Sequence, residues 1–329
     1  MLAATAAAAT LTGSLFRYKH PSWPAPLQAF ESPAVHEHRN FCVYVGGLTD
    51  GLLACGYVEA LGAELDRRGW ALVQPVLTSS YAGYGCSSLA KDAAEISELL
   101  AHLVQSREGV NAFAIVGHST GCQDAVTLLG SAPPGVRQLI RAAILQAPVS
   151  DREAASLEGD EAERSKLLLK AESLIAQGQG DALLLKHYGF VPMSAERYVS
   201  LVGRGTPDDM FSSDFSDEQL GVILSPMGTG GQRDGRRATL GYAAIEPVAA
   251  HPGLKTLFVH SAKDEYVPPT VDAVQLSQRF VRAAGGAESG AAACIIPEAN
   301  HNLASPPGAA SAFVTAVGEW LELAVSNKS

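Results

Sequence analysis

Six short apolar runs set the frame for this chain: "FCVYV" (41–45), "ALVQPVL" (71–77), "FAIV" (113–116), "AAILQA" (142–147), "TLFVH" (256–260) and "ACIIP" (293–297). Each is followed by a turn signal and then by a helical pattern, with helices expected at 53–68, 88–105, 122–131, 270–284 and 308–325. Strands that alternate with helices must run parallel, because each crossover helix returns the chain to the same edge. Several of the runs are apolar throughout, as strands covered on both faces require. The expectation is an α/β architecture, a mostly parallel central sheet with helices on both faces. The rhythm breaks between about 151 and 250, a stretch richer in charge that holds "ERSKLLLKAESLIAQ" and ends in "PMGTGGQRDGRR". A simple crossover needs a helix and a few loop residues, so a hundred residues here are expected to form a helical cap over the carboxyl edge of the sheet. The expected division is therefore a disordered N-terminal extension at 1–12, a core at 13–150 and 251–329, and a cap insertion at 151–250.

Composition narrows the function classes. The 329 residues are 47% apolar and 18% charged, enough for a sizeable core, and the formal charge is −10. A diffuse acidic surface argues against nucleic acid or anionic membrane as partner, since both select clustered Lys and Arg. The one basic cluster, Arg233, Arg236 and Arg237, lies in a Gly-rich stretch and reads as a solvated loop. No run reaches the roughly 18 apolar residues a membrane span needs. Five cysteines, Cys42, Cys55, Cys86, Cys122 and Cys294, are odd in number and form no C-x-x-C pair. They read as reduced thiols in a cytoplasmic protein. The start "MLAATAAAATLTGSLF" lacks the positive region of a secretory signal and leaves an organelle transit peptide open. Neither a cofactor motif nor histidines at metal-ligand spacing occur, so no cofactor and no metal are expected.

The chemistry is carried by "AFAIVGHSTGCQDAV", where Gly117-His118-Ser119-Thr120-Gly121 fits G-x-S-x-G directly after a strand and before a helix. In an α/β-hydrolase this sharp turn exposes a nucleophilic serine at the carboxyl end of the sheet. Such a serine needs a base and an acid, later in the chain and again after strands. Asp264 in "SAKDEYVPP" follows "TLFVH", and His301 in "EANHNLASPPG" follows "ACIIP". The imidazole would take the serine proton and the carboxylate would orient it. Backbone donors for an oxyanion are expected from Thr120 and from the early loop "VGGLTDGLL", with Leu48 first and Gly47 next to it. Asp151 is the runner-up acid. Glu265 is expected to face solvent or its loop, Asp92 and Cys122 to be structural, His260 to be packed, His118 to point away from the nucleophile, and Asp50 to order the loop or touch substrate. No residue is assigned to substrate binding.

Together "VGGLTDGLL", "SSYAGYGCSSLAKDAAEI", "VGHSTGCQDAV", "AAILQAPVSDRE", "DDMFSSDFSDEQL" and "DEYVP" resemble an α/β-hydrolase family of fungi, plants and algae, long catalogued as a domain of unknown function. It includes fungal esterases acting on fusarinine-type hydroxamate siderophores. The sequence looks closer to the plant and algal members. The resemblance implies a cytoplasmic esterase with Ser119, Asp264 and His301 as its triad and an ester of a small molecule as substrate. It also puts Asp208–Asp214 in the shared architecture, along the pocket. Two other outcomes share these residues or this fold: acyl transfer to an alcohol or amine, and a ligand receptor or scaffold without turnover. Oligomeric state is not encoded legibly.

Overall fold

A computed structural model describes residues 11–33, 38–157, 159–187, 190–227, 251 and 253–326. The N-terminal extension, up to residue 10, and the basic loop with Arg233, Arg236 and Arg237 lie outside the described residues.

The chain opens with two strands, β1 (Ser14–Tyr18) and β2 (Leu27–Glu31), then alternates: β3 (Asn40–Val45), α1 (Val58–Arg67), β4 (Trp70–Val76), α2 (Leu89–Ser106), β5 (Ala112–His118), α3 (Thr120–Ser131), the single turn α4 (Pro134–Arg137) and β6 (Ile140–Gln146). After a long excursion it returns through β9 (Lys255–Ser261), α9 (Ala273–Ala283), β10 (Ala291–Ile296) and α10 (Ala309–Ser326). The eight strands form one sheet in the order β1-β2-β4-β3-β5-β6-β9-β10. From β4 to β10 all pairings are parallel, while β1 and β2 are antiparallel. All six expected strands and five expected helices are present. The hairpin β1–β2 was not anticipated, because "SLFRY" and "LQAFE" are half exposed and carry no continuous apolar signal.

Successive strand side chains point to opposite faces, and the central strands show how that builds two cores. Val43, Val45, Phe113, Ile115, Ala143 and Leu145 face one layer with α2, α3 and α9. Cys42, Tyr44, Ala114, Val116, Ala142 and Ile144 face the other, with α1 and α10. With both faces covered, β5 is buried at every position. That two-sided burial is why "FAIV" reads as a solid apolar run.

Between β6 and β9 lie α5 (Asp151–Ser156), α6 (Glu161–Ala176), β7 (Leu183–His187), β8 (Val191–Ser194), α7 (Ala195–Val202) and α8 (Asp217–Ile223). The expectation of a purely helical insertion needs correction: β7 and β8 pair as an antiparallel hairpin. "LLLKH" suits either state, and the strand partner decides it. Ala171, Val191, Met193, Ala195, Tyr198 and Leu201 form a small separate core with Tyr84 from the loop after β4. Gly85 lies so near this hairpin that an added Cβ would stand 1.9 Å from the Pro192 carbonyl oxygen. Further along, Met210, Phe211, Phe215, Leu220, Ile223 and Met227 pack into the main core instead.

Candidate active site

Ser119 sits between β5 and α3 with φ 53° and ψ −123°, a left-handed conformation that an L-residue adopts at a cost of about 1–3 kcal/mol. The glycines around it are steric requirements. A Cβ on Gly117 would meet the Gly121 carbonyl oxygen at 2.3 Å, and one on Gly121 would meet the Val45 carbonyl oxygen at 2.2 Å. The turn is clamped by the Ser119 N–H donating to Gln146 O (3.0 Å) and the Cys122 N–H donating to Ser119 O (2.8 Å). Tight packing of helix on strand thus holds the serine at the carboxyl edge of the sheet.

Asp264 and His301 arrive from the loops after β9 and β10. His301 Nδ1 lies 2.8 and 3.0 Å from the two Asp264 carboxylate oxygens, both residues being buried. A carboxylate at Nδ1 fixes the proton there and leaves Nε2 as the free base. Asp264 accepts a second bond from the Tyr266 N–H (3.0 Å). The His301 backbone is held at both ends, its N–H donating to Glu265 (2.9 Å) and its carbonyl accepting from Gln146 Nε2 (2.8 Å). Glu265 is exposed in its loop, as expected, and its carboxylate also reaches the His301 N–H. The His301 ring lies between Tyr266 and His118, at centroid distances of 4.6 and 4.9 Å. His118 does not point away from the site: its Nδ1 is 2.5 Å from Gln146 Oε1, which also accepts from Tyr57 (3.0 Å).

On the opposite side the early loop packs against the serine, and a Cβ on Gly47 would stand 2.7 Å from Ser119 Cβ. The Gly47 N–H donates to Asp50 at 2.8 Å, so Gly47 is occupied and is not the free backbone donor it was expected to be. Asp50 orders this loop. Among the described residues the Leu48 and Thr120 N–H groups have no protein acceptor, and Thr120 opens helix α3, whose N-terminus favours negative charge. Asp50, Cys55 and His118 each offer a donor atom, all within 4.8 Å of one another, a grouping of the early loop with the residue before the serine.

Ser119, His301, Leu48 and Glu265 line one cavity of about 540 Å³, together with Val149, Asp151, Arg164, Met193, Tyr198 and Leu201 from the insertion and its approach. Asp151, the runner-up acid, does not touch His301. It accepts from Gln123 at 2.7 Å, and burial, then the Asp208 carboxylate, pushes it up to about 7. Asp208–Asp214 do not line this cavity. Asp208 pairs with buried Arg197 (2.6 Å), and Arg152 bridges Asp209 (3.1 Å) and Asp214 (2.6 Å), tying α5 and α7 to the segment that follows α7. Asp92 is buried in the first turn of α2 and accepts from Ser87 (3.1 Å), a structural contact as expected. His260 is buried with the Ser277 hydroxyl at 2.9 Å, and burial pushes it down to about 4.

This arrangement matches known proteins along nearly its whole length. Residues 5–322 fit the family described as proteins of unknown function, DUF1749. The chain belongs to this family. It is 32% identical to the UPF0613 protein PB24D3.06c of Schizosaccharomyces pombe over 276 residues, covering 80% of this chain and 81% of that one. It is 31% identical to the fusarinine C esterase of Aspergillus fumigatus over 313 residues, covering 80% and 82%. Among solved structures, the siderophore hydrolase EstB of Aspergillus fumigatus superimposes with a TM-score of 0.75 at 27% identity, over 97% of this chain and 99% of that one. The fold is an α/β-hydrolase fold. These relatives are fungal, and the closer kinship to plants and algae suggested by the motifs is not borne out.

Proposed function

We propose that this member of the family is a serine ester hydrolase in which Ser119 attacks the ester carbonyl of a small molecule. The observation that carries the reading is the strained serine and the buried Asp264–His301 pair opening onto one cavity. His301 Nε2 takes the serine proton as the bond to the carbonyl carbon forms, while Asp264 stabilises the imidazolium. The Leu48 and Thr120 N–H groups receive the oxyanion. Collapse expels the alcohol with the proton from His301, leaving an acyl-enzyme on Ser119 that water, activated in the same way, releases as a carboxylic acid.

Residues of the insertion form the far wall of the cavity, so we assign it the role of cap and specificity element. Met193, Tyr198, Leu201 and Val202 supply an apolar surface, and Asp151, Arg164 and Glu265 supply polar contacts. Relatives named as esterase and siderophore hydrolase support ester hydrolysis. The five free cysteines support a cytoplasmic site of action. Among the described residues no helix is long and apolar enough to cross a membrane.

Incubation with a fluorophosphonate probe is expected to label the native protein once per chain, at Ser119. Ser119→Ala should abolish both labelling and p-nitrophenyl ester hydrolysis. Full turnover in the Ser119→Ala variant refutes the assignment, and tight ligand binding without labelling or turnover would favour a receptor.

A further inference from the structure

We propose that Asp50, Cys55 and His118 form a binding site for one thiophilic divalent cation such as Zn²⁺, next to the nucleophile and open to the cavity, and that its occupation inhibits ester hydrolysis. The three donors are a carboxylate oxygen, a thiol sulfur and an imidazole nitrogen, within 4.8 Å of one another. Tetrahedral zinc with bonds of about 2.0–2.3 Å sets donors about 3.3–3.8 Å apart, so small rotamer shifts close the group. Asp50 Oδ2 and His118 Nε2 already stand 3.9 Å apart.

The surroundings are those of a ligand set. His118 Nδ1 is engaged by Gln146 at 2.5 Å, which leaves Nε2 with its lone pair facing Asp50 and Cys55. Asp50 is oriented by the Gly47 N–H. Outer hydrogen bonds of this kind commonly orient metal ligands. The Tyr44 hydroxyl is buried beside this group, against Cys55 and Tyr57. All three ligands line the cavity, which provides the entry path. Thiolate with imidazole and carboxylate selects zinc-like ions over magnesium or calcium.

Binding forms a metal–sulfur bond and breaks the Cys55 S–H bond, the proton going to solvent. The group then changes from a net charge of −1, carried by Asp50, to zero with the ion, thiolate and carboxylate together. The His118 ring lies tilted, its centroid 4.9 Å from that of His301. Loss of a negative charge there disfavours the His301 imidazolium that acylation requires, and a fall in rate of about tenfold or more is expected.

The test titrates Co²⁺ into reduced, metal-stripped protein and follows the near-ultraviolet cobalt–thiolate charge-transfer band. The band should saturate at one equivalent, vanish on addition of Zn²⁺, persist in Cys86→Ser, which removes an exposed thiol, and be absent in Cys55→Ser. Zn²⁺ should lower ester hydrolysis in the native protein, and Cys55→Ser should lose that sensitivity relative to its own metal-free rate. Asp50→Asn keeps an acceptor for the Gly47 N–H, so it tests the site if Cys55→Ser folds poorly. It should weaken Co²⁺ binding by about tenfold or more. Absence of the band, or a band unchanged in both Cys55→Ser and Asp50→Asn, overturns the proposal. Metal-free turnover separately reports on the proposed esterase activity.

Discussion

Gly47→Ala isolates positioning of the nucleophile from the chemistry of the triad. The added methyl carbon would stand 2.7 Å from Ser119 Cβ, 3.2 Å from the His118 carbonyl oxygen and 3.2 Å from Ser119 Oγ. Carbon atoms rest about 3.5–4.0 Å apart, so either the serine or the early loop must retreat by roughly 1 Å. Ser119 is fixed by backbone bonds on both sides, and the loop is fixed through Asp50, so the strain falls on the alignment of nucleophile and oxyanion donors. A misplacement of that size costs about a hundredfold in rate. The assay compares kcat/KM on a p-nitrophenyl ester, the fluorophosphonate labelling rate and Tm. The expected outcome is a loss of about a hundredfold in both rates, with Tm lowered by a few degrees. Gly56→Ala, in the same loop region but with open space around an added Cβ, is the control, and its stability should stay within about 0.5 kcal/mol of native. Near-native kcat/KM in Gly47→Ala would refute the claim that this contact sets the catalytic geometry.

Asp264→Asn offers His301 an amide in place of a carboxylate and is expected to lower kcat by about 10³–10⁴ with the fold intact, measured by steady-state kinetics beside circular dichroism. Arg197→Met strands the buried Asp208 carboxylate and should lower unfolding free energy by about 3–5 kcal/mol in urea, whereas a loss under 1 kcal/mol would mean the pair does not hold α7 against the segment that follows it. His260 titrates near 4 when folded against 6.5 unfolded, so between these values the unfolded chain binds the extra proton. Its contribution is therefore intact above pH 6.5 and is lost as pH falls toward 4, by about 3 kcal/mol. His260→Gln should flatten that part of the pH–stability curve. Asp151 acts in the opposite direction, its raised pKa favouring the folded state at low pH and losing that advantage as pH rises toward 7.

The parts of the molecule that were readable in advance are those whose cause is local. Ser119, Asp264 and His301 each follow a parallel strand, and such strands deliver their carboxyl ends to one edge, so position after an apolar run carried three-dimensional meaning. Gly117 and Gly121 were readable for the same reason, since the tight strand-to-helix turn is encoded within five residues. The bond from the His301 N–H to the exposed Glu265 carboxylate was not read in advance, because the two lie 36 residues apart and nothing beside Glu265 in the chain signals it. Asp208–Asp214 were expected along the pocket on the family resemblance alone; their partners Arg152 and Arg197 lie up to 62 residues away and hold them in ion pairs, with Asp208 and Asp209 buried and Asp214 exposed. Gly47 is the instructive intermediate. Its acceptor, Asp50, is only three residues on, so "GLTD" could have been read as a side-chain-capped turn. That reading removes Gly47 from the proposed oxyanion donors and leaves Leu48 and Thr120 as the proposed pair. The same carboxylate holds the Gly47 N–H and faces His118 and Cys55, so a change at Asp50 should disturb loop order and cation binding together, while Cys55→Ser should disturb only the second. The ratio of these two effects across the pair of variants separates the loop-ordering role from the ligand role.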